Sequence, residues 1–128
     1  MIDKNYLLSD VTEQVIGCAM RVHSGLGNGF PEIIYQRALA LELEASGVPF
    51  VREKEHPVYY RDARIGSRIV DFLIQDNLLL ELKATSELTD NHFAQIINYL
   101  TAFRLEVGLL INFGQKSLQY RRFVKSKV

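Results

Sequence analysis

The chain has 128 residues, 48% of them hydrophobic and 23% charged, and its acidic and basic side chains balance to no formal net charge. That length supports one domain over residues 1–128 with a core of its own. The even charge excludes a protein-wide basic field, so any nucleic-acid surface has to be local. A lone cysteine, Cys18, excludes an internal disulfide and fits a reducing compartment. The opening Met1-Ile-Asp-Lys-Asn-Tyr6 lacks a hydrophobic signal core, and no apolar run approaches membrane-spanning length. The expectation is a cytoplasmic protein without a membrane partner.

Asp10 and Glu13 are spaced as a capping pair, and Val11, Val15, Cys18/Ala19 and Val22 form an apolar stripe, which predicts a helix to about His23. Gly25 to Pro31 is a glycine-rich turn. Such a turn before a helix can cradle phosphate, but its ordinary use, and the one expected, is a tight connection between packed helices. The second helix is predicted from about Pro31 to Ser46, ending at Gly47. Ile34, Ala38, Leu41 and Ala45 are expected to face the core, with Glu32, Tyr35 and Gln36 on a neighbouring face. His23, polar on an apolar helix, reads as a hydrogen-bonded structural residue fixing the glycine turn.

Val48 to Tyr60 reads as a strand that Pro57 confines to an edge or a bulge. After a turn at Arg61-Asp62-Ala63, strands follow over Arg64–Ile74 and Leu78–Ala84. A third helix is expected over Ser86–Arg104, with N-cap candidates at Thr89, Asp90 and Asn91, a core stripe of Phe93, Ile97, Leu100 and Phe103, and a second line of His92, Gln95 and Tyr99. His92 is expected to be solvated. Glu106–Phe113 is an apolar strand, parallel to the Leu78–Ala84 strand because a helix separates them. A last strand covers Ser117–Val124, and Arg121, Arg122, Lys125 and Lys127 form a basic end that is either solvated or in contact with phosphates. The order α-α-β-β-β-α-β-β predicts an α/β fold, a sheet with helices packed on it.

The conflict within this pattern lies between Ile69 and Lys83. Asp71, Glu81 and Lys83 interrupt two strands so apolar that they belong in the middle of a covered sheet. Charges are seldom buried unless paired or metal-bound, and such local contradictions tend to mark functional sites. Glu81 and Lys83 share a strand face. Asp71 joins them only if the connecting loop has three residues, pairing Ile74 with Leu78 and setting Asp71 opposite Glu81 with Cβ atoms roughly 5 Å apart. A two-residue loop puts the carboxylates on opposite faces. The three-residue loop, with Asn77 in the left-handed region, is the prediction.

Two converging acids and a Glu-x-Lys pair suit metal-assisted phosphodiester hydrolysis. Mg²⁺ (or Mn²⁺) prefers oxygen ligands and keeps several waters. Asp71, Glu81 and the backbone carbonyl of Leu82 would supply some ligands. Lys83 would orient or deprotonate the attacking water, or stabilise charge in the transition state.

The motifs Gly29-Phe-Pro-Glu32-Ile-Ile-Tyr35, Val22-His23, Leu26-Gly27, Asp71-Phe72, Glu81-Leu82-Lys83, Gln95 to Tyr99 and Val107 to Gly114 together resemble the GxxExxY family, a branch of the PD-(D/E)XK nuclease superfamily. The resemblance runs over roughly residues 10–124. It implies a restriction-endonuclease-like core, α-β-β-β-α-β around a mixed central sheet, with an extra N-terminal helix and a C-terminal strand. It also implies a site of Asp71, Glu81 and Lys83, joined by Glu32 from the preceding helix and Gln95 from the following one. The activity implied is a divalent-metal-dependent nuclease, acting on DNA rather than RNA. The alternative is a non-catalytic module on a nuclease scaffold that binds nucleic acid or protein. A homodimer through the edge segments Val58–Tyr60 or Leu118–Tyr120 would let two sites address both strands.

Overall fold

A computed structural model of the chain describes residues 8–125. Eight elements follow in order: α1 (Ser9–Leu26), α2 (Glu32–Ala45), β1 (Phe50–Tyr60), β2 (Ala63–Ile74), β3 (Leu78–Lys83), α3 (Asp90–Phe103), β4 (Val107–Asn112) and β5 (Gln119–Val124). The strands form one five-stranded mixed sheet in the order β1-β2-β3-β4-β5. Only β3 and β4, joined through α3, run parallel, as expected for strand–helix–strand; the remaining neighbours are antiparallel. This is the α/β, restriction-endonuclease-like architecture expected from the sequence.

The helices cover both faces. On one, α1 and α2 seal Phe72, Ile74, Leu80, Leu82, Leu109 and Ile111 beneath Val15, Leu39 and Leu43. On the other, α3 covers Val70, Leu79 and Leu110 with Ile96 and Leu100. β3 and β4 are the central strands, and their near-continuous apolar runs are buried on both sides.

Several local expectations shift. The inward stripe of α2 is Tyr35, Gln36, Leu39, Ala40 and Leu43, whereas Leu41 is 68% exposed and Ala45 lies on the surface. The predicted face was rotated by about one residue, because Tyr35 and Gln36 were read as polar flank when their rings and amides have partners inside. The Tyr35 hydroxyl donates to the Gly27 carbonyl (2.6 Å) and accepts from the Phe30 N–H (3.2 Å), closing the glycine turn. The tyrosine ring stacks on Phe113, 4.6 Å between centroids. The glycine segment is thus a tight connection, with Gly27 and Gly29 at φ of 71° and 110°. His23 is structural as expected, but it bonds the Gln115 carbonyl (2.8 Å) and so ties α1 to the β4–β5 turn rather than fixing the glycine turn.

At the start of α1 the Asp10–Glu13 capping pair does not form. Asp10 lies inside the first turn, and the Leu8 carbonyl accepts from both the Thr12 N–H (3.0 Å) and hydroxyl (2.7 Å). The third helix begins at Asp90, four residues later than expected. Thr89 caps it, in a reciprocal box in which His92 Nδ1 accepts from the Thr89 N–H at 3.1 Å. His92 therefore has a capping role and is not merely solvated. Edge strand β1 carries its irregularity between Val58 and Tyr59, next to Pro57. Of the basic C-terminal residues, Lys127 lies outside the described residues, and the Arg121 guanidinium rests 4.3 Å over the Phe93 ring.

Candidate active site

The β2–β3 register is the predicted one, Ile74 with Leu78 and Phe72 with Leu80, so the next step in line sets Asp71 opposite Glu81. The turn reaches that register by other means. Gln75 and Asp76, not Asn77, take positive φ (52° and 64°), and the Asn77 N–H closes back on the Ile74 carbonyl at 3.0 Å. Two consecutive left-handed residues give the primed turn that matches strand twist. The extra residue restores the three-residue count.

Asp71 stands where the β1–β2 hairpin changes sides. Along an unbroken strand residues 70, 72 and 74 share a face. Yet Phe72 and Ile74 pack under α1 and α2, while Val70 packs under α3. β1 does the same: Arg52 donates to Gln36 of α2 (2.7 Å), whereas the His56 ring lies 4.7 Å from that of Phe103 on α3. The changeover falls between the pairs Arg52–Phe72 and Lys54–Val70, at Glu53 and Asp71. Glu53 takes a φ of 50°, a conformation side chains other than glycine seldom adopt and one that is retained mostly at functional sites. The twist delivers the Asp71 carboxylate into the angle between α2 and β3.

Side chains bridge the strands there. Glu81 Oε1 accepts from the Asp71 N–H (2.9 Å), and Asp71 Oδ2 accepts from the Leu82 N–H (2.7 Å). Each carboxylate is thereby fixed by the backbone of the other's strand. The second oxygen of Asp71 accepts from Gln36 Nε2 (3.2 Å), and Arg52 donates to Gln36 Oε1, which settles the orientation of the Gln36 amide. Lys83 Nζ donates to Gln95 Oε1 of α3 at 3.1 Å. Glu32, the first residue of α2, sits within electrostatic reach of Asp71 and Lys83. The structure therefore brings together all five residues singled out in the sequence: Glu32, Asp71, Glu81, Lys83 and Gln95. Gln36 and Arg52 were missed. The usable signal was that Gln36 follows Glu32 by one helical turn.

Burial makes this cluster electrostatically tense. Glu81 is 6% exposed. Desolvation and the neighbouring Asp71 push its carboxyl up to about 8, against the opposing pull of the Asp71 N–H and Lys83. Desolvation also raises Asp71, opposed by its bonds to Leu82 and Gln36. Glu32 is raised by desolvation and by Asp71, and lowered by Lys83. Tyr99 is raised by burial and by Glu81, so its hydroxyl stays protonated beside the acids.

The backbone after Lys83 is held by Asn112. This fully buried amide accepts from the N–H groups of Thr85 (2.9 Å) and Gly114 (3.0 Å) and donates to the Thr85 carbonyl (3.0 Å). Gly114 passes so close that a Cβ there would lie 2.1 Å from the Thr85 carbonyl oxygen. Only glycine fits.

Among the described residues no group of three or more His, Cys, Asp or Glu side chains is arranged to hold a metal ion. The two carboxylates that the hydrogen bonds bring together there are Asp71 and Glu81. Two hard oxygen donors with the remaining positions left to water, backbone and phosphate fit a hard divalent cation. Burial, and after it the charge of Asp71, lifts Glu81, and both favour a cation that would neutralise the pair.

A sequence profile of the PD-(D/E)XK nuclease superfamily matches residues 9–123. The chain belongs to that superfamily. Among solved structures, SSO0001 aligns with a TM-score of 0.60 at 17% identity, over 95% of this chain and 61% of its own. The chain thus spans about three-fifths of that protein, and the likeness is one of fold. An alkaline exonuclease (LHK-Exo) from Laribacter hongkongensis aligns more loosely, with a TM-score of 0.46 and 12% identity over 85% of this chain and 68% of its own, too loosely to bear on this chain. No curated protein matches it. No helix among the described residues is long and apolar enough to cross a membrane.

Proposed function

We propose that the chain is a divalent-metal-dependent nuclease of the GxxExxY branch, hydrolysing phosphodiester bonds in DNA. The observation that carries this reading is the pair of buried Glu81 and half-buried Asp71, each acid locked by the other strand's backbone, with Lys83 one step beyond Glu81 on its strand face. Fixed carboxylates of this kind are costly without a counter-charge, and a pair that only stabilised the fold would be better replaced by apolar residues.

Asp71 and Glu81 would hold Mg²⁺ or Mn²⁺, with the Leu82 carbonyl as a further oxygen donor. Bound there, the cation would lower the pKa of a water and screen the scissile phosphate. The remaining roles belong to the side chains. Lys83 donates to Gln95, which keeps its ammonium aimed and available to stabilise charge on the phosphate oxygens. Gln36, gripped by Arg52, holds the outer oxygen of Asp71. Glu32 borders the cluster and is suited to accept a proton or anchor water. The partner is nucleic acid in the cytoplasm. Tyr59, Tyr60 and Tyr120, exposed on or beside the two edge strands, offer a contact for a homodimer.

Calorimetric titration of Mg²⁺ and Mn²⁺ into the parent and Asp71→Ala, beside cleavage of plasmid and single-stranded DNA, tests the proposal. Binding that vanishes in the variant, with metal-dependent nicking by the parent, is the expected result. A parent that shows neither metal binding nor cleavage would overturn it in favour of a scaffold that binds nucleic acid or protein. The carboxylates' own hydrogen bonds to backbone are the feature that second reading rests on.

A further inference from the structure

The arm of the β1–β2 hairpin beyond Asp71 arches over α3 and leaves a recess of about 450 Å³ between them. Ser67 and Arg68 of the arm and Asn91, Gln95, Asn98 and Tyr99 of α3 supply its polar lining; among the described residues no carboxylate lines it, and the Ser67 hydroxyl donates to Glu55 Oε2 at 3.1 Å. Gln95 is shared with the site, because its Oε1 accepts from Lys83 Nζ. Tyr99 feels the charges of Glu81, Asp71 and Arg68, so the recess opens beside the acid pair. Arg68 is exposed and donates to the Ser67 carbonyl at 2.9 Å, which holds its guanidinium at the rim.

One cation and several amides suit a ligand with a phosphate and hydrogen-bonding base edges. The volume lies within the range of about 300–1,000 Å³ that takes one drug-sized molecule. A base paired in a duplex enters such a recess only at the cost of unstacking and unpairing, whereas unpaired bases are free to be splayed into pockets. We infer that this recess receives one unpaired nucleotide beside the cleaved bond, its phosphate on Arg68 and its base among Asn91, Asn98 and Gln95. This rests on the nuclease reading and deepens it: the preferred substrate is single-stranded or end-frayed DNA.

The test uses Lys83→Ala protein, to prevent cleavage, with Mg²⁺ and fluorescein-labelled ten-nucleotide DNA followed by anisotropy. A single strand should bind at least tenfold more tightly than a blunt hairpin duplex at the same salt. Ala102→Trp, which fills the recess, should weaken single-strand binding at least tenfold, with an unchanged circular dichroism spectrum as the control for folding. Arg68→Ala should weaken binding and reduce the salt slope by about one. Equal affinity for single strand and duplex, or parental affinity in both Ala102→Trp and Arg68→Ala, overturns the inference. The two readings fail separately. If the Lys83-containing parent nicks DNA while the filled and Arg68 variants bind and cleave single strands as the parent does, the recess falls and the nuclease stands. If binding depends on the recess but no metal supports cleavage, the recess stands and the nuclease falls.

Discussion

On the side covered by α1 and α2, the sheet presents Phe72, Ile74, Leu80, Leu82, Val107, Leu109 and Ile111, all fully buried against Val15, Leu39 and Leu43. On the α3 side, the corresponding surface is Val70, Leu79 and Leu110 under Ile96 and Leu100, and beyond Leu79 it continues as Glu81 and then Lys83. A strand with a period of two divides these duties residue by residue. In β3, Leu78, Leu80 and Leu82 close the larger core, while Leu79, Glu81 and Lys83 alternate with them on the other face. The polar groups are held to about 3 Å by bonds to backbone because the leucines flanking them cannot move. The α1–α2 side supplies the rigidity, and the site is built at its margin from Glu81 and Lys83 on the α3 face and Asp71 held by Gln36 of α2.

The strongest test of this division is a crossed pair of substitutions. If the chain is the nuclease proposed, Lys83→Ala should reduce cleavage about 10²–10³-fold, by removing the group assigned to the phosphate oxygens, and leave the thermal midpoint within a degree or two. Leu39→Ala should do the reverse. Deleting a fully buried leucine costs about 2–5 kcal/mol, visible in urea unfolding, while activity per folded molecule stays close to parental. A Leu39→Ala protein that is inactive although folded would show that the two sides are not separable.

Much of this was legible in the sequence because it follows from period and contradiction. The order of elements came from alternating strand and helix patterns, and the Asp71–Glu81 register from requiring two buried acids to meet. The turn residues that achieve the register were misassigned to Asn77, because the positive φ falls on Gln75 and Asp76, and glutamine is an unusual occupant of that region. The face of α2 was misjudged because Tyr35 and Gln36 look amphipathic in sequence. Only the tertiary partners, Gly27 and Phe30 for one and Asp71 and Arg52 for the other, show that they belong inside. The side-switch at Glu53 could not be read at all: it arises from one residue's backbone conformation within an ordinary-looking strand.

The acid cluster should tie stability to pH. Glu81 titrates near 8 in the metal-free fold but near the ordinary 4.5 when exposed. Its folded state therefore binds the proton more tightly, and the resulting stabilisation, complete below the ordinary value, is lost as pH rises through about 8. Metal-free parent should lose on the order of 1–3 kcal/mol between pH 5 and pH 8 after allowance for the coupling to Asp71. Glu81→Gln, neutral throughout, should flatten that slope, and Mg²⁺ should restore the parent at pH 8 but not the variant. Thermal melts at several pH values in chelator and in Mg²⁺ measure both. A parent whose stability rises from pH 5 to pH 8 would contradict the assignment.

Gln36→Leu keeps the side chain's volume but removes the amide between Arg52 and Asp71. Groups that orient ligands in this way are typically worth 10–100-fold in metal affinity. The expected outcome is a loss in that range by calorimetry, with Mn²⁺ at high concentration recovering most of the cleavage rate. A loss that added metal does not recover would indicate that Gln36 acts on substrate rather than through Asp71.

The smallest effect should come from the other end of the site. His92→Ala removes the acceptor for the Thr89 N–H and half of the capping box of α3. The Thr89–His92 bond is exposed, so water replaces it, and the cost should be about 0.5–1 kcal/mol, a few degrees in thermal midpoint. The same first turn leads to Gln95 and hence to the hold on Lys83. Loosening it should lower cleavage only two- to threefold, because Ile96, Leu100 and Phe103 keep the body of the helix seated on the sheet. His92→Gln, which can still accept from the Thr89 N–H, should recover both quantities. If activity fell a hundredfold at this modest loss of stability, His92 would be acting in the site itself. The α3 side would then owe its chemistry to more than the charges on β2 and β3.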